Sequence, residues 1–502
     1  MRIPPSAGYF ECAEDSGAFA YPTTWCRIVP APPAALHDAM NTALDMRAAF
    51  DDSEADRYDL HAKHLNNQMV RVLKTIGFDA RFTRGRGPYL WDAKGDKYLD
   101  LLSGWGVFAL GRNHPHVAQA LRSVLDADLP NLVQMDVSPL AGRLAARLLA
   151  RTPWLDKAFF ANSGAEAVEA AIKFARAATG RAGVVHCENA FHGLTYGPLS
   201  AAGDKLYRDG FGPLLPDFRA IPFDDLPALE RNLRNRDVAA FLVEPIQGKI
   251  VRPPSPAYLK EAQALCRKYG TLFIADEIQT GLGRTGRFLA VEHFGAEPDM
   301  VLLAKGLSGG HVPVGVALMR RDTFGKVFDR MDRAIVHGST FAKNDLAMAA
   351  GLATLDVIES EKLIENAAAK GERLTRALKA LMAQVDYIKD VRGLGLMLAV
   401  ELGEPKSLKL RAFWAMLEAV NKGLTCQLVT IPLFRDQKVL VQVAGHGSRA
   451  LKLLPALTIT DEDCDWIERA FADTLRAAGD SAGPIWALGK QLVEGARASA
   501  GT

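Results

Sequence analysis

The strongest constraint on the fold is the alternation of short apolar stretches with helical patterns between about residues 115 and 345. The apolar stretches have the length and composition of buried strands. They occupy residues 157–161, 238–246, 271–278, 300–304 and 314–319. Helical patterns lie between them, such as residues 256–270, which end at Gly270. Strands that alternate with helices predict an α/β domain built on a mostly parallel sheet.

The remaining segments of the 502-residue chain have different patterns. Residues 1–55 mix proline, alanine and acidic residues without sustained periodicity, and we interpret them as an N-terminal extension with at most a short helix. Residues 56–114 begin with a helical pattern and contain a predicted hairpin around Lys94 and Gly95. Residues 346–478 predict a smaller α+β domain. An Ala/Gly-rich tail occupies residues 479–502.

Charge and composition exclude several classes of function. Lys and Arg number 60 against 58 Asp and Glu, so no net field would attract nucleic acid or an anionic membrane. The most apolar stretch, residues 301–319, is interrupted by Lys305 and His311, which excludes a simple membrane span. The first residues lack the pattern of a secretory signal, and the six cysteines show no paired spacing. We therefore expect a cytoplasmic protein with free thiols and no metal site.

Residues 271–286, TLFIADEIQTGLGRTG, contain a G-x-G-x-x-G pattern at Gly281, Gly283 and Gly286. In a dinucleotide-binding fold such glycines close a tight turn between a strand and a helix. A predicted strand does precede them, but Gly295 follows too soon for a crossover helix. The glycine pattern leaves a nicotinamide-dependent oxidoreductase as one alternative, although the early Gly295 argues against it. The other candidate in this stretch is Asp276, the carboxylate that ends the predicted strand.

A first candidate site lies in FFANSGAEA, residues 159–167, where a predicted strand runs into a long amphipathic helix. Ser163 and Glu166 have the spacing of a capping box, which would serve only to begin the helix. Gly164 also lets the backbone approach an anion, and a helix N-terminus that follows a strand binds phosphate readily. Both interpretations remain open from these residues alone.

Further candidates stand at the ends of predicted strands. Asp276 ends one of them, although a carboxylate there is commonly a turn or capping residue. Lys305 closes another and is followed by glycines that permit a tight loop, although a lysine after a strand is usually solvated. Phe191 and His192, in AFHG, follow the apolar run AGVVHCENA. Pyridoxal 5'-phosphate requires an anion cradle, a lysine, a carboxylate beside its pyridine nitrogen and a flat partner for its ring, and each requirement has a candidate here.

In combination these motifs resemble the class III pyridoxal-phosphate aminotransferases, which include ornithine, acetylornithine, 4-aminobutyrate and putrescine aminotransferases. The resemblance runs from about residue 87 to residue 472 and includes, in the family's order, FFANSGAEA, AFHG, VEPIQG, ADEIQTGLGRTG, LLAKGLSGG and HGSTF. It implies the aspartate-aminotransferase-like fold (fold type I), with a large cofactor domain at residues 115–345. A small α+β domain would be formed by both chain ends, with residues 56–114 as its N-terminal part. The resemblance also implies a homodimer with shared active sites.

The resemblance implies a role for each candidate. Lys305 would hold the cofactor as an imine (a Schiff base) and serve as the catalytic base, Asp276 would pair with the pyridine nitrogen, and Gln279 would bond the phenolic oxygen. The other cofactor contacts would be Ser163, Gly164 and Ala165 at the phosphate, Phe191 stacked on the ring with His192 next to it, Glu244 positioning the catalytic segment, and Thr340 reaching the phosphate across the dimer interface.

The chain departs from relatives of the ornithine and putrescine type at two positions. Many of them read VEPIQGE, whereas this chain has Lys249 in the last position. Many also have an arginine in I-R-x-x-P-P-L that binds the substrate α-carboxylate, whereas LKLLPALTI has Lys452 there. Lysine attracts a carboxylate as a point charge but lacks the two-pronged geometry of arginine. Lys249 and Lys452 would thus hold the carboxylates of glutamate by charge alone.

The expected reaction is a ping-pong transfer through pyridoxamine phosphate, from an ω-amine such as putrescine or ornithine, with glutamate and 2-oxoglutarate as the other couple. Trp105 and Phe108, in LLSGWGVFALG, resemble a pocket-lining segment of the family, although aromatic residues usually belong to the core. If they line the pocket, a lipophilic amine or aldehyde such as a hopanoid precursor is the alternative substrate. A non-catalytic descendant is a further alternative, which the joint retention of Lys305, Asp276 and Gln279 disfavours.

Overall fold

The computed structural model describes residues 10–12, 26–28, 54–133, 136–420, 424–445, 447–479 and 489. The chain forms two compact units, Met1–Val72 and Leu73–Thr502. In the first unit, strands β1 (Phe10–Cys12) and β2 (Cys26–Ile28) form an antiparallel pair. The sequence pattern does not predict this pair, because a three-residue strand is too short for its alternation to be recognised. The unit also contains helix α1 (Glu54–His64); the rest of the predicted extension and most of the predicted tail lie outside the described residues.

A seven-stranded sheet lies at the centre of the second unit. Its strands are β6 (Lys157–Ala161), β7 (Gly183–Cys187), β8 (Phe218–Ile221), β9 (Val238–Val243), β10 (Leu272–Asp276), β11 (Met300–Leu303) and β12 (Gly315–Met319). Their order across the sheet is β6-β12-β11-β10-β9-β7-β8. Each of the five predicted apolar stretches contains one of these strands, so the α/β prediction is confirmed.

The strand directions place the carboxyl ends of most strands at one edge of the sheet. Parallel pairing joins β10 to β9 and β11, and joins β7 to β8 and β9. Strand β12 runs antiparallel to both of its neighbours, β11 and β6. Strand β6 therefore has the direction of the parallel strands, and every strand except β12 ends at the same edge. Ligands of open α/β sheets bind outside the carboxyl ends of the strands, which is this edge.

In the sequence, helices lie before, between and after the strands of this sheet. They are α4 (Pro115–Asp126), α5 (Pro139–Ala150), α6 (Gly164–Thr179), α7 (Tyr196–Ser200), α8 (Lys205–Arg208), α9 (Leu226–Leu233), α10 (Tyr258–Tyr269) and α11 (Arg321–Gly325). Every residue of β9 and of β12 is buried, as expected for a sheet covered on both faces. The neighbours Phe241 and Leu242 belong to different core clusters, because successive strand residues point to opposite faces. Burying one such side chain contributes about 1.5–3 kcal/mol.

Two four-stranded sheets lie outside the central one. Strands β13 (Ile388–Leu394), β14 (Met397–Leu402), β16 (Gln442–Val443) and β17 (Ala450–Leu453) form the first, in the order β13-β14-β17-β16. Strands β3 (Phe82–Arg86), β4 (Tyr89–Asp92), β5 (Lys97–Asp100) and β15 (Val439–Leu440) form the second, in the order β15-β5-β4-β3. The pairing of β15 with β5 joins segments from both ends of the chain, as the predicted fold class requires.

The remaining described helices flank these sheets in sequence. They are α2 (Asn67–Ile76), α3 (Ser103–Gly106), α12 (Asp345–Ser360), α13 (Leu363–Ala380), α14 (Leu408–Val420), α15 (Leu424–Arg435) and α16 (Asp461–Ala478). Short 3-10 helices occupy Ala290–Phe294, Lys305–Ser308, Met331–Arg333 and Leu381–Ala383. None of the described helices is both long enough and apolar enough to cross a membrane. The predicted domain limits at residues 115, 346 and 479 stay predictions.

Candidate active site

The side chains predicted to carry the chemistry gather along the carboxyl edge of the seven-stranded sheet. Asp276 is the last residue of β10, and Lys305 lies two residues after the end of β11. Glu244 directly follows β9, and Ser163 lies two residues after the end of β6. Because these strands share a direction, residues far apart in the sequence reach the same edge.

Lys305 has the features of a nucleophilic amine. Its φ of 45° lies in the left-handed region, which is uncommon for a residue with a side chain and occurs often at functional sites. Among the described residues, none forms a hydrogen bond or an ion pair with its Nζ atom. Burial lowers the pKa of Lys305, and the charges of Asp276 and Glu244 only partly oppose this shift. An unbonded amine with a lowered pKa is suited to forming a covalent bond with a carbonyl carbon.

Asp276 and His192 form a buried pair. Nδ1 of His192 lies 2.7 Å from Oδ2 of Asp276, and Oδ1 of Asp276 accepts from the N–H of Ile278 at 3.1 Å. Burial acts to lower the pKa of His192, but its hydrogen bond to Asp276 and the charges of Asp276 and Glu244 outweigh burial, so the pKa is raised. The second ring nitrogen, Nε2, is buried and has no hydrogen-bond partner among the described residues. Both oxygens of Asp276 are thereby held in a fixed orientation.

Glu244 connects two loops at this edge. One carboxylate oxygen accepts from the N–H of Phe191 at 2.9 Å, and the other accepts from the N–H of Gly248 at 2.6 Å. Burial raises the pKa of Glu244 more than these hydrogen bonds and the charge of His192 lower it. The carboxyl group therefore holds the backbone of both loops at Phe191 and Gly248, while its predicted role in positioning the catalytic segment stays a prediction.

Ser163 caps the sixteen-residue helix α6. Its Oγ accepts from the N–H of Glu166 at 3.1 Å, and the Glu166 carboxylate accepts from the N–H of Asn162 at 2.9 Å. The first N–H groups of a helix have no partner within the helix, so those of Gly164 and Ala165 suit an anion. A Cβ atom at Gly164 would lie 2.9 Å from Cδ1 of Ile278, so a larger residue here would require the Ile278 side chain to shift.

Gln279 is held from two sides. Its Oε1 atom accepts from Nζ of Lys452 at 2.7 Å, and its Nε2 atom donates to the carbonyl oxygen of Trp105 at 3.1 Å. An amide group has two N–H donors, so one donor of Gln279 remains for another acceptor. The sequence predicts Gln279 as a cofactor contact but does not predict either of these partners.

Both lysines that depart from the family pattern have partners within the chain. Lys249 forms an ion pair with Asp204. Lys452 is 5% exposed, and its Nζ donates to the carbonyl oxygen of Gly248 as well as to Gln279. The predicted binding of glutamate carboxylates by these lysines stays a prediction, and a carboxylate would compete with the partners just described.

Trp105 and Phe108 have different surroundings. Trp105 is 56% exposed and lies in α3, where Gly104 and Trp105 have φ values of 58° and 57°. Its Nε1 atom donates to Oε1 of Gln442 at 2.6 Å. Phe108 is partly buried beneath the guanidinium group of Arg112, whose carbon lies 4.0 Å from the ring centroid. Trp105 is therefore not a core residue, and its ring is available at the surface.

Two further predicted contacts lie at the margins of the site. Phe191 is partly buried, and its ring meets that of Tyr207 edge-on with centroids 5.3 Å apart. Thr340 is exposed, and the neighbouring Ser339 accepts a hydrogen bond from Nδ2 of Asn162 at 2.6 Å. Asn162 directly precedes the cap of α6, so this bond joins the segment to the phosphate end of its own chain, and the predicted contact of Thr340 with the phosphate across a dimer interface stays a prediction.

Gly283 and Gly286 of the G-x-G-x-x-G pattern allow the chain to pack closely against a helix. A Cβ atom at Gly286 would lie 2.9 Å from Cβ of Ala368, and one at Gly283 would lie 3.2 Å from Cγ1 of Ile364. Both contacts are with helix α13. After Gly286 the chain forms turns and a 3-10 helix rather than a crossover helix. The dinucleotide alternative therefore has no structural support.

Some residues of the site are not found by sequence reasoning. Gln442, Tyr207 and Asp204 reach the site from segments without a recognised motif. Asp204 does have a local signal, because its side chain accepts from the N–H of Leu206 as the N-cap of α8. That signal predicts the start of a helix and carries no information about the ion pair with Lys249.

The arrangement fits pyridoxal 5'-phosphate. Helix α6 begins with a glycine-lined cradle for a phosphate, and Asp276 presents a carboxylate held by hydrogen bonds. Lys305 offers an unbonded amine, and Gln279 has a spare N–H donor. These groups are the ones that the cofactor requires of a protein.

Comparisons with known proteins agree with this fit. The family Aminotransferase class-III matches residues 74–475. An acetylornithine aminotransferase of Bacillus cereus is 40% identical over 385 residues, which cover 76% of this chain and 92% of the relative. The aminotransferase PigE of Serratia sp. is 34% identical over 462 residues, or 86% of this chain. The match spans 54% of PigE, about half of that protein.

A solved structure supports the same relationship. The ornithine aminotransferase of Toxoplasma gondii, with pyridoxal phosphate at partial occupancy in its active site, aligns with a TM-score of 0.74 and 30% identity. The alignment covers 89% of this chain and 97% of that structure. Because the family match extends over most of the chain and the fold agrees, the chain belongs to the class III aminotransferases and is a pyridoxal-phosphate-dependent enzyme.

Proposed function

We propose that the enzyme moves an amino group between a primary amine or amino acid and a keto acid or aldehyde, with glutamate and 2-oxoglutarate as one couple. The observation that carries this proposal is the unbonded amine of Lys305 at the edge where Asp276 and Glu244 also lie. Its lowered pKa increases the fraction of the amine that is neutral and able to react.

Each cofactor contact is assigned to a residue with suitable chemistry. Ser163, Gly164 and Ala165 would bind the phosphate, Phe191 would stack on the ring with His192 nearby, Asp276 would pair with the pyridine nitrogen, Gln279 would donate to the phenolic oxygen, and Lys305 would form the covalent link. Thr340 adds a phosphate contact from a second copy of the chain. When bound, the cofactor supplies an electron sink that stabilises negative charge on the substrate carbon.

The protein residues provide binding and proton transfer. Nζ of Lys305, once released from its covalent link, would take the proton from Cα of the amino donor and deliver it to C4′ of the cofactor, and it would carry out the reverse transfer when the acceptor is aminated. Asp276 keeps the pyridine nitrogen protonated, because a carboxylate beside a cation favours the charged form. Glu244 and His192 hold the surrounding backbone and the Asp276 carboxylate in place.

A homodimer is part of the proposal. Thr340 is exposed, and the segment around it presents large apolar side chains to solvent: Met331 is 96% exposed, Ile335 93% and Phe341 62%. Exposed apolar groups at this density are typical of a surface that another protein covers. A second copy that covers this segment would bring Thr340 to the partner's phosphate site.

For the amino donor, we propose an ω-amine such as putrescine or ornithine. The resemblance of the layout to relatives acting on such amines supports it, and a putrescine aminotransferase of Pectobacterium atrosepticum is 37% identical over 406 residues. The second candidate is a lipophilic amine or aldehyde, such as a hopanoid precursor. The exposed ring of Trp105 and the internal partners of Lys249 and Lys452 favour it, because neither lysine is left unpaired for a second charged group of the substrate.

Half-reactions with single compounds test the proposal. Holoenzyme is mixed with one amine or amino acid at a time, without acceptor, and the pyridoxamine phosphate formed is measured. We expect conversion by glutamate and by putrescine or ornithine, and none in a Lys305→Ala variant. Failure of glutamate alongside success of an unrelated amino acid would contradict the couple. Failure of putrescine and ornithine with success of lipophilic amines would replace the first donor class by the second.

A further inference from the structure

Lys452 occupies an unusual position for a lysine. It lies on β17, is 5% exposed and reaches out of the small sheet to the loops that follow β9 and β10. Its two hydrogen-bond acceptors, the carbonyl oxygen of Gly248 and Oε1 of Gln279, are both neutral. Among the described residues, no carboxylate lies within ion-pair distance of its Nζ atom. Burying a protonated lysine without a counter-charge costs free energy. The position of Lys452 is therefore not explained by an ion pair within the part of the chain that the structure describes.

The number of donors agrees with a neutral amine at this position. A neutral amine has two N–H groups, and Lys452 has two acceptors. Burial lowers the pKa of Lys452 to about 7; the charges of Lys305 and Arg284 add to this shift, and that of Glu244 opposes it. An arginine at the same position could not release its proton. It would add a fixed charge beside Lys305 and Arg284.

The contact with Lys452 determines how the Gln279 amide is turned. The two ends of an amide have nearly the same shape and are distinguished only by their hydrogen-bond partners. Lys452 donates to Oε1, so Nε2 is directed to the carbonyl oxygen of Trp105. In the opposite orientation Oε1 would face that carbonyl oxygen, and two acceptors would repel each other.

The contacts close into a ring around Gln279. Trp105, which accepts from Gln279, donates through its indole to Gln442. Gln442 on β16 lies directly opposite Lys452 on β17 in the sheet register. The amide of Gln279 is thus held by two adjacent strands. Strand β17 contacts it directly through Lys452, and strand β16 contacts it indirectly, through Gln442 and Trp105.

We propose that Lys452 is a positioning residue, whose amine orients the amide of Gln279 so that its remaining N–H donor faces the cofactor, instead of an anchor for a substrate carboxylate. This inference rests on the proposed function, since it uses the assignment of Gln279 to the phenolic oxygen. It predicts that removing the Lys452 amine changes the absorbance titration and the affinity of the bound cofactor even when no amine or keto acid is present.

Two lysine variants and one glutamine variant test it in the full-length holoenzyme. Lys452→Met removes the donor at similar length, Gln279→Leu removes its target, and Lys249→Met removes a nearby amine with a different partner, Asp204. The pH titration of the visible absorbance of the bound cofactor and the dissociation constant for pyridoxal phosphate are measured without substrate. KM and kcat for glutamate are measured separately.

The expected result is a shifted absorbance titration in Lys452→Met and Gln279→Leu, in the same direction. Each variant should bind the cofactor about two- to tenfold more weakly, the range for one hydrogen bond. The double variant should show less than the sum of the two effects, because residues that act through one contact are not additive. Lys249→Met should leave the titration unchanged.

An unchanged titration and cofactor affinity in Lys452→Met, with a raised KM for glutamate alone, would overturn the inference and identify a carboxylate anchor. If Lys452→Met does not fold, Lys452→Gln is measured on the same criteria, because its amide can still donate to Oε1. That variant should then keep a titration close to wild type, and a titration like that of Gln279→Leu would overturn the inference. The titration and the cofactor affinity are measured without any substrate, so failure of the proposed substrates, glutamate included, is recognised independently of this inference.

Discussion

Nδ1 of His192 lies 2.7 Å from Oδ2 of Asp276, and both side chains are almost completely buried. The histidine comes from the loop after β7, whereas the aspartate ends β10. This contact leaves Nε2 of His192 without a partner among the described residues and fixes the direction of the Asp276 carboxylate. The pair therefore acts as one unit, in which His192 orients the charge that Asp276 presents at the sheet edge.

Asp276→Asn should lower the rate of amino transfer by about 10²- to 10³-fold, the loss typical of removing one preorganised electrostatic group. The amide keeps the shape of the carboxylate but cannot stabilise a protonated ring nitrogen, so cofactor should remain bound. The rate of a single half-reaction and the bound cofactor content are the measurements. Asp299→Asn is the control, because Asp299 pairs with Arg320 at the opposite end of the strands. Turnover close to wild type in Asp276→Asn would exclude the proposed role.

Lys305→Ala should retain cofactor but lose its covalent attachment to the chain, because Nζ of Lys305 has no hydrogen-bond or ion-pair partner among the residues that the structure describes. Borohydride reduction followed by peptide mapping detects the attachment. Wild-type protein should carry the label on Lys305. Lys249→Ala should carry it at the same position, since Lys249 is paired with Asp204. A label on any other lysine of the wild type would contradict the assignment.

Much of the fold follows from local patterns. The strands at residues 157–161 and 314–319 are predicted to within one residue, because a short, mostly apolar run bounded by turn residues has few alternatives. Helix α10 ends where Gly270 adopts the left-handed conformation, as its sequence predicts. The hairpin of β4 and β5 also follows from local signals.

The features that the sequence does not predict depend on contacts between distant segments. Gln442 and Lys452 lie in strands of two and four residues, and their partners Trp105 and Gln279 are 337 and 173 positions away in the sequence. No local pattern encodes such a pair. The left-handed turn at Gly104 and Trp105 was missed for a related reason, because a tryptophan with positive φ is held only by its surroundings.

Gly248→Ala should weaken cofactor binding and amino transfer. A Cβ atom at Gly248 would lie 2.6 Å from Oε1 of Gln279 and 2.8 Å from Oε2 of Glu244, so both groups would have to move. We expect at least about a tenfold loss in half-reaction rate, because even a small displacement of the catalytic groups lowers the rate strongly. Gly142→Ala in α5 is the matched control. Its Cβ would meet nothing within 4 Å, and it should stabilise the helix by roughly 0.5–1 kcal/mol without changing activity.

Lys452→Met should change how stability depends on pH. The pKa of Lys452 is about 7 in the folded chain against 10.5 for an ordinary lysine. Below pH 7 the folded and unfolded chains both carry the proton, and burial of the charge opposes folding. Between pH 7 and 10.5 the unfolded chain binds more protons at this position than the folded chain, so stability contributed by Lys452 rises with pH.

The measurement is the free energy of unfolding in denaturant for wild type and Lys452→Met at several pH values from about 6 to 9. Their difference should shift in favour of the wild type by roughly 1 kcal/mol per pH unit above pH 7 and should be constant below it. Contributions from Lys305, Glu244 and Arg284, the charged groups that act on Lys452, are common to both proteins and largely cancel. A difference that is flat across the range would mean that Lys452 stays protonated in the folded chain, and the neutral amine inferred for the Gln279 contact would be wrong.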